Sequence, residues 1–207
     1  MPDIKMDYQN NQLVIQNFMN VLKNSSNIDF VRGMLFCFGA PTIKGIKSAC
    51  LINLKRNSED IKNLWTSYAG KWLEPYNIEN VLLNKFSSSK NALVLIFRRT
   101  LLKRALSRPA ARELLLSYNY PVPNVDACLK HLTKKFAFEI PHEVGIFLDY
   151  PAEDVKGFIE NRQAGNLLSK GYWKVYGNVE RAGKIFKRYK TAEYDAALNM
   201  LTSWHAV

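Results

Sequence analysis

The sequence predicts an α+β fold, in which a mostly helical single domain contains a small sheet of about three strands. Short apolar runs bounded by polar or turn residues occur at 49–54, 78–86 and 92–97, and such runs are typical of buried strands. From residue 100 onward, apolar residues recur instead at the spacing of amphipathic helices, almost without a break. A few strands packed against many helices define the α+β class.

Two helices are predicted before the first strand. Residues 13–23 carry apolar side chains three and four positions apart, as on one face of a helix. Ser25 or Ser26 can cap a second helix, which runs to Phe38. The Gly-Ala-Pro sequence at 39–41 then ends this helix.

The middle of the chain combines a loop, a helix and a β-hairpin. A short basic loop at 42–47 leads into the first strand, and Ser58 opens a helix that continues to about Trp72. The strands at 78–86 and 92–97 flank a Ser/Lys/Asn turn and therefore form a hairpin. The second of these strands is apolar throughout, which predicts a central strand covered on both faces.

The carboxy-terminal half is predicted to be helical. Pro109 and Pro151 are favourable helix starts, because the first turn of a helix does not use the amide hydrogen that proline lacks. The chain has no internal repeat, and Pro121-Val122-Pro123 indicates a turn rather than a domain boundary. We expect an N-terminal helix or extension at 1–24 and one globular domain at 25–207. Helices are predicted at 100–107, 109–118, 124–136, 142–149, 152–162 and 179–201.

The charge balance points to anionic partners. Lys and Arg number 29 and Asp and Glu 18, which gives a formal net charge of +11. A surplus of this size attracts nucleic acid, phosphorylated or carboxylated ligands, or an acidic protein. The lysines are spread along the chain, whereas nucleic-acid binders usually concentrate them, so an inert basic surface is the alternative.

Three features predict a cytoplasmic protein without membrane association. No segment approaches the roughly 20 apolar residues that span a bilayer. The amino terminus lacks the basic start and apolar stretch of a secretory signal. Cys37, Cys50 and Cys128 are odd in number and show no Cys-x-x-Cys spacing, which favours reduced thiols over disulfides or a zinc site. We therefore predict no metal site.

The stretch 139–189 is the most distinctive part of the chain. It contains Pro-His-Glu-Val-Gly-Ile-Phe-Leu-Asp-Tyr-Pro-Ala-Glu-Asp-Val at 141–155 and Gly-Tyr-Trp-Lys-Val-Tyr-Gly at 171–177. Over about residues 25–190 the chain resembles the bacterial, mainly clostridial family of domain of unknown function 3793. The resemblance implies a domain extent and no particular chemistry. Further matching positions near the amino terminus are Ala40, Pro41, Thr42, Gly45, Lys47 and 51–54.

Two positions depart from the pattern that this resemblance leads us to expect. Phe38-Gly39 stands where a pair such as His-Cys is expected before Ala-Pro. If that pair serves as ligands in relatives, we do not expect the same use in this chain, although Cys37 lies close by. Asp149 stands where many relatives have Gly before Tyr-Pro.

His142 and Glu143 are the candidate catalytic residues. They open the predicted 142–149 helix, where the positive helix end favours a neutral imidazole and Glu143 complements the same dipole. No second histidine follows at helical spacing, so the pair is not a zinc motif of the His-Glu-x-x-His type. The alternative is that His142 caps the helix and anchors a turn.

The segment Gly-Tyr-Trp-Lys-Val-Tyr-Gly is a candidate ligand platform. Alternation along an extended chain puts Tyr172, Lys174 and Tyr176 on one side, and Trp173 and Val175 on the other. One side can join the core while the other offers two phenols and an ammonium group to a planar or anionic ligand. The flanking glycines would allow a ligand to approach closely. The candidate ligand-binding residues are Tyr172, Trp173, Lys174 and Tyr176, and the alternative is a structural strand or loop.

Lys44 and Lys47 are candidate anion ligands, because they lie in a glycine-containing loop between a helix–proline break and a strand. Backbone amides and two ammonium groups in such a loop can hold phosphate or carboxylate. The other basic clusters, at 98–108 and 184–190, fall on predicted helices and are typical of a solvated face.

Residues 143–162 also fit a helix-turn-helix hairpin. Two short helices flank a tight turn near 149–151, and Gly145 falls where such motifs have a small residue. Glu153 and Asp154 make the first turn of the second helix acidic, which opposes contact with DNA phosphates. A packed helical hairpin is the alternative.

Two functional hypotheses follow. In the first, the protein binds an anionic or planar small molecule of the nucleotide, flavin or tetrapyrrole class, either as a binding protein or as an enzyme. Tyr172, Lys174 and His142 should then line one concave surface. In the second, the basic surface makes the protein a nucleic-acid or protein interaction module, with the 143–162 hairpin as its contact element.

Overall fold

A three-stranded antiparallel sheet lies between two hydrophobic clusters in a largely helical fold. The computed structural model describes residues 3–56, 61–85, 91–160 and 167–204. The predicted α+β class, mostly helical with a small sheet, is confirmed. The strands of the sheet are β1 (Ala49–Leu54), β2 (Glu79–Leu82) and β3 (Ala92–Phe97), in the order β1–β3–β2.

Helices cover both faces of this sheet. In the described part of the chain, no helix is both long and apolar enough to cross a membrane. A 3-10 turn at Glu74–Tyr76 follows α4, and the short strands β4 (Ser169–Lys170) and β5 (Lys174–Val175) form a second, two-stranded hairpin. The helices are α1 (Asp3–Asn24), α2 (Asn27–Phe38), α3 (Ala40–Ile43), α4 (Ile61–Leu73), α5 (Arg99–Leu106), α6 (Pro109–Ser117), α7 (Val125–Lys135), α8 (Val144–Phe147), α9 (Ala152–Glu160) and α10 (Val179–Trp204).

Strand β3 is the central strand, as its apolar sequence predicts. Val94 pairs with Ile52 of β1 on one side and with Leu82 of β2 on the other. Val94 and Ile96 face the cluster built with α1, α2, α4 and α10, while alternate residues face the cluster built with helices α5 to α9. Burial of each large apolar side chain contributes roughly 1.5–3 kcal/mol, so the two faces of β3 hold the fold together.

Helix α1 belongs to the first of these clusters. Its amino-terminal end extends the predicted 13–23 helix back to Asp3. Phe18 and Leu22 are fully buried, and α1 packs along α10. Residues from both ends of the chain therefore complete the same core.

Strand β2 is shorter than the predicted 78–86. Asn84 ends the pairing, because its side-chain oxygen accepts from the Leu93 amide at 2.9 Å and its side-chain amide donates to the Asn91 carbonyl at 2.8 Å. A side chain thus replaces the backbone ladder, as Asn side chains do in turns.

The predicted loop at 42–47 begins inside a short helix. In α3, Pro41 occupies the first turn, where a missing amide hydrogen costs no hydrogen bond. Gly45 then adopts a left-handed φ of 70°, which glycine does at little cost. The Arg98 guanidinium donates to the Thr42 and Ile43 carbonyls and fixes the segment that carries Lys44 and Lys47.

Helix α8 has four residues, whereas the prediction was 142–149. The turn before it contains His142 and Glu143, and Asp149 ends the segment with a left-handed φ of 63°. Residues other than Gly, Asn and Asp rarely adopt this conformation. The backbone at position 149 therefore explains why the family resemblance leads us to expect Gly there.

Three predicted features lie outside the described residues. They are the helix start at Ser58, most of the hairpin turn at 87–91, and the end of the helix at 161–162.

Candidate functional site

A cavity of about 320 Å³ opens between α9, the turn before α8 and the β4–β5 hairpin. Its wall contains four of the predicted site residues, namely His142, Tyr172, Trp173 and Lys174. His142 precedes the other three by about 30 residues in the sequence, and the fold brings them together. We call this space the aromatic cavity, defined by His142, Tyr150, Phe158, Tyr172, Trp173 and Lys174.

Ring contacts form the walls of the aromatic cavity. Trp173 stacks on Tyr150, with ring centroids 4.7 Å apart. The His142 ring meets the edge of Phe158 at 4.9 Å and an interplanar angle of 81°. Rings packed against one another lose little conformational freedom when a further ring binds beside them, so such walls suit a planar ligand.

The strand-like alternation of the 172–175 segment is present in the structure. Trp173 is 7% exposed and Val175 is fully buried, and both join a third hydrophobic cluster near Tyr189. Tyr172 and Lys174 are half-buried. Trp173 therefore belongs to the third cluster and also lines the aromatic cavity, while Tyr172 and Lys174 border cavities from less buried positions.

Lys174 supplies a positive charge to the wall of the aromatic cavity. Its ammonium nitrogen lies 5.0 Å from the centroid of the Phe158 ring, a cation–π contact. His142 contacts the same ring. A polar pair thus borders an otherwise mainly apolar surface.

Asp154 holds this wall in place, although the sequence pattern predicts only that it is an acidic residue in the first turn of a helix. Its side chain is buried, and Oδ2 accepts from the Trp173 indole at 2.7 Å. Oδ1 accepts from the backbone amides of Tyr176 and Gly177 at 2.7 and 2.8 Å. The adjacent Glu153 is also an acidic residue in the first turn of this helix. The sequence around the two residues therefore does not indicate that Asp154 is buried and Glu153 is exposed.

Glu143 lies away from the aromatic cavity. Its side chain is 4% exposed, forms a salt bridge with Lys135 and accepts from the Tyr120 hydroxyl at 3.1 Å. Burial together with the Glu143 carboxylate raises the pKa of Tyr120. The predicted pair therefore separates, because His142 lines the cavity while Glu143 lies in a buried polar cluster.

Tyr176 is also absent from the lining of the aromatic cavity. Its ring packs on Gly157 of α9, where an added Cβ would come within 2.7 Å of the ring. Tyr176 therefore packs between α9 and the β4–β5 hairpin and has a structural role there.

The glycine at 171 has a different role from the one that the sequence suggests. A Cβ added to Gly171 would lie 2.3 Å from the Phe186 ring of α10. The close approach that excludes a side chain is therefore made by another part of the chain, and it needs no ligand.

The two predicted lysines of the 42–47 segment are separated. Lys44 is exposed on the surface and pairs with Asp195 at 2.7 Å. Lys47 is only 5% exposed and lines a second cavity, of about 410 Å³. Tyr150 and Tyr172 line both cavities and form the wall between them. We call the second space the Lys47 cavity.

Glu193 of α10 is the other charged residue of the Lys47 cavity, and sequence analysis missed it. Its Oε2 accepts from the Tyr172 hydroxyl at 2.7 Å. Burial raises the pKa of Glu193 to about 7, although the Tyr172 hydrogen bond and the charges of Lys47 and Lys190 oppose that rise. Burial and the Glu193 carboxylate also raise the pKa of Tyr172.

The predicted 143–162 hairpin forms a packed pair of helices over its described part, which ends at residue 160. All four residues of α8 are buried. The first turn of α9 is covered by the 173–177 segment through Asp154. Asp154 is thereby buried, while the adjacent Glu153 in the same turn stays exposed.

Comparison with known proteins identifies a family for this chain. Neither a curated protein nor a solved structure gives a significant match. The family model described as protein of unknown function (DUF3793) matches residues 35–205, which include both cavities except for Met19 and Met34 in the wall of the Lys47 cavity. The chain therefore belongs to the DUF3793 family.

Proposed function

We propose that the aromatic cavity binds a planar small molecule that carries an anionic group. The observation behind this proposal is the convergence of His142, Tyr172, Trp173 and Lys174, from two separate segments, on one cavity. Packing of the fold alone does not require a lysine and a histidine beside the same aromatic ring.

The size of the cavity supports a compact ligand. At about 320 Å³ it lies near the lower end of the roughly 300–1,000 Å³ found for small-molecule sites. This favours a ring compound no larger than a mononucleotide over a tetrapyrrole.

The wall suggests how such a ligand would be held. Its ring would contact Phe158, Tyr150 and Trp173, and its anionic group would pair with the Lys174 ammonium group. His142 would donate or accept a hydrogen bond at the ligand. If a reaction takes place, His142 is the candidate proton acceptor, without assistance from Glu143.

We place this binding activity in the cytoplasm. Cys37, Cys50 and Cys128 are buried free thiols. Burial raises the pKa of Cys37, and raises that of Cys128 to about 11. Reduced, unreactive thiols support a reducing compartment.

Thermal unfolding with matched probes tests the proposal. AMP and flavin mononucleotide should raise the melting temperature more than adenosine and riboflavin do, because only the first two carry a phosphate for Lys174. Native mass spectrometry of the protein as purified should show any ligand that remains bound. The proposal fails if none of the four probes shifts the melting temperature and no small molecule copurifies.

A further inference from the structure

The lining of the Lys47 cavity contains both apolar and polar residues. Met19 of α1, Met34 and Phe38 of α2, and Ile52 of β1 are among the apolar residues. The polar residues include Lys47, Tyr172 and Glu193, which come from three separate segments of the chain, and Asn53 of β1. A ligand that contacts both kinds of residue must itself be amphipathic.

The Lys47 ammonium group is the unusual feature of this polar lining. The residue is only 5% exposed, and its ammonium nitrogen lies 5.2 Å from the Tyr150 ring centroid and 5.1 Å from that of Tyr189. Within the described residues, no carboxylate lies at salt-bridge distance from it. Burying a charge costs free energy unless it is paired, and two aromatic faces compensate only part of that cost.

Glu193 complements this charge without pairing with it directly. Its Oε2 accepts from the Tyr172 hydroxyl, which leaves lone pairs of the carboxylate for another donor. An anion placed near Lys47 would therefore meet a positive charge and a carboxyl group that can share a proton.

We propose that the Lys47 cavity binds an amphipathic monocarboxylic acid, with its carboxylate between Lys47 and Glu193 and its apolar chain along Met19, Met34 and Ile52. This inference does not depend on the proposed function of the aromatic cavity. Among the described lining residues, the two sites have Tyr150 and Tyr172 in common.

Charge balance predicts that a proton accompanies the ligand. Lys47 neutralises one negative charge, so the bound acid is best accommodated when Glu193 is protonated and donates to it. Burial raises the pKa of Glu193 to about 7, which makes that proton accessible near neutral pH. The other titratable groups around Glu193 and the cavity are Tyr172, Lys190, Cys37, Cys50, Tyr150 and Tyr189.

Isothermal titration of the full chain with octanoate tests the proposal, with octanol and octylamine as probes of equal chain length. At about pH 6 octanoate should bind, octanol should bind at least tenfold more weakly, and octylamine should not bind, because Lys47 repels it and Glu193 is mainly protonated. Octanoate binding should also weaken about tenfold between about pH 6 and about pH 8, since Glu193 loses its proton over this range. Equal binding of octanoate and octanol, or octanoate binding that is independent of pH, would overturn the proposal.

Variants locate the bound acid. Lys47→Met keeps the length of the side chain without its charge and should reduce octanoate affinity at least tenfold. Glu193→Gln should bind octanoate with little dependence on pH. Lys184→Met, at an exposed lysine that pairs with Glu180, is the matched control and should match the wild type. Circular dichroism checks that each variant is folded, and the wild-type comparison of octanoate with octanol stands even if Lys47→Met does not fold.

Two results with the variants would reject this site. The first is unchanged octanoate binding by a folded Lys47→Met protein. The second is loss of binding in Lys174→Ala while Lys47→Met binds normally, which would place octanoate in the aromatic cavity instead.

Discussion

The indole nitrogen of Trp173 donates a hydrogen bond to Oδ2 of Asp154 at 2.7 Å. The second oxygen of the same carboxylate accepts from the amides of Tyr176 and Gly177. One buried side chain at the start of α9 therefore holds the chain on both sides of Lys174. The geometry of the aromatic cavity depends on this carboxylate, although Asp154 itself is buried.

Asp154→Asn should lower the free energy of unfolding by about 2–3 kcal/mol, because hydrogen bonds to a charged group are lost in a buried site. The asparagine oxygen can still accept from the Tyr176 and Gly177 amides, but its NH₂ group then faces the Trp173 indole N–H, donor against donor. Urea unfolding measures the change. Trp173→Phe removes the opposing N–H donor. In that background, Asp154→Asn should cost about 0.5–3 kcal/mol less than it does in the wild type. Additive effects of the two changes would contradict this account.

Lys174→Ala should abolish the phosphate-dependent part of ligand binding in the aromatic cavity while leaving the fold nearly unchanged. The cation–π contact with Phe158 is worth about 0.5–1 kcal/mol, which corresponds to a melting temperature shift of a few degrees in a chain of this size. Thermal unfolding with and without AMP or flavin mononucleotide measures both effects. Lys184→Ala is the control, and an equal loss of binding there would show that general surface charge is responsible.

Lys135→Met should lower the free energy of unfolding by about 2–4 kcal/mol, because it leaves the buried Glu143 carboxylate without its cationic partner. Urea unfolding measures this cost. Replacing Glu143 by Gln as well should recover part of it, since no buried charge is then left unpaired. Ligand binding in the aromatic cavity should be unaffected in the folded double variant. Loss of binding would assign Glu143 to the ligand site.

The protein should lose stability as the pH rises from about 4.5 to about 7 because of Glu193. Its pKa is raised from 4.5 to about 7 by burial, so the folded protein binds more protons than the unfolded chain in this window. The contribution to the free energy of unfolding is therefore complete below pH 4.5 and is lost as the pH rises through 7. Each pKa unit corresponds to 1.36 kcal/mol, so the total is about 3 kcal/mol.

Comparison with Glu193→Gln isolates this contribution from all other titrating groups. The variant should gain about 3 kcal/mol relative to the wild type between about pH 4 and about pH 8, measured by urea unfolding at each pH. Parallel stability curves for the two proteins would show that Glu193 titrates normally.

Asp149→Gly should change the free energy of unfolding by less than about 0.5 kcal/mol, whereas Asp149→Ala should lower it by about 1–2 kcal/mol. Asp149 has a φ of 63°, which glycine adopts freely and alanine does not. Both variants lose the salt bridge to Arg108, whose contribution at the surface is small, so the difference between them reports the backbone conformation. Equal effects of Gly and Ala in urea unfolding would remove the backbone explanation.

The sequence by itself determined the fold class, the strands β1 and β3, most of the helices and the family. These features follow from local regularities. An apolar run of six residues forms a buried strand, Ser26 caps α2, and alternation in 172–175 buries Trp173 and Val175 more deeply than Tyr172 and Lys174. Such patterns depend on backbone geometry that repeats every two or 3.6 residues, and a single sequence contains them in full.

The tertiary structure alone decided which polar side chains meet. Glu143 adjoins His142 in the sequence, yet its partners are Lys135 and Tyr120. Lys47 and Glu193 are 146 positions apart and line one cavity. A carboxylate or an ammonium group binds whichever partner the fold places beside it, and burial then sets its pKa. No local pattern contains that information, because it depends on contacts between distant segments of the chain.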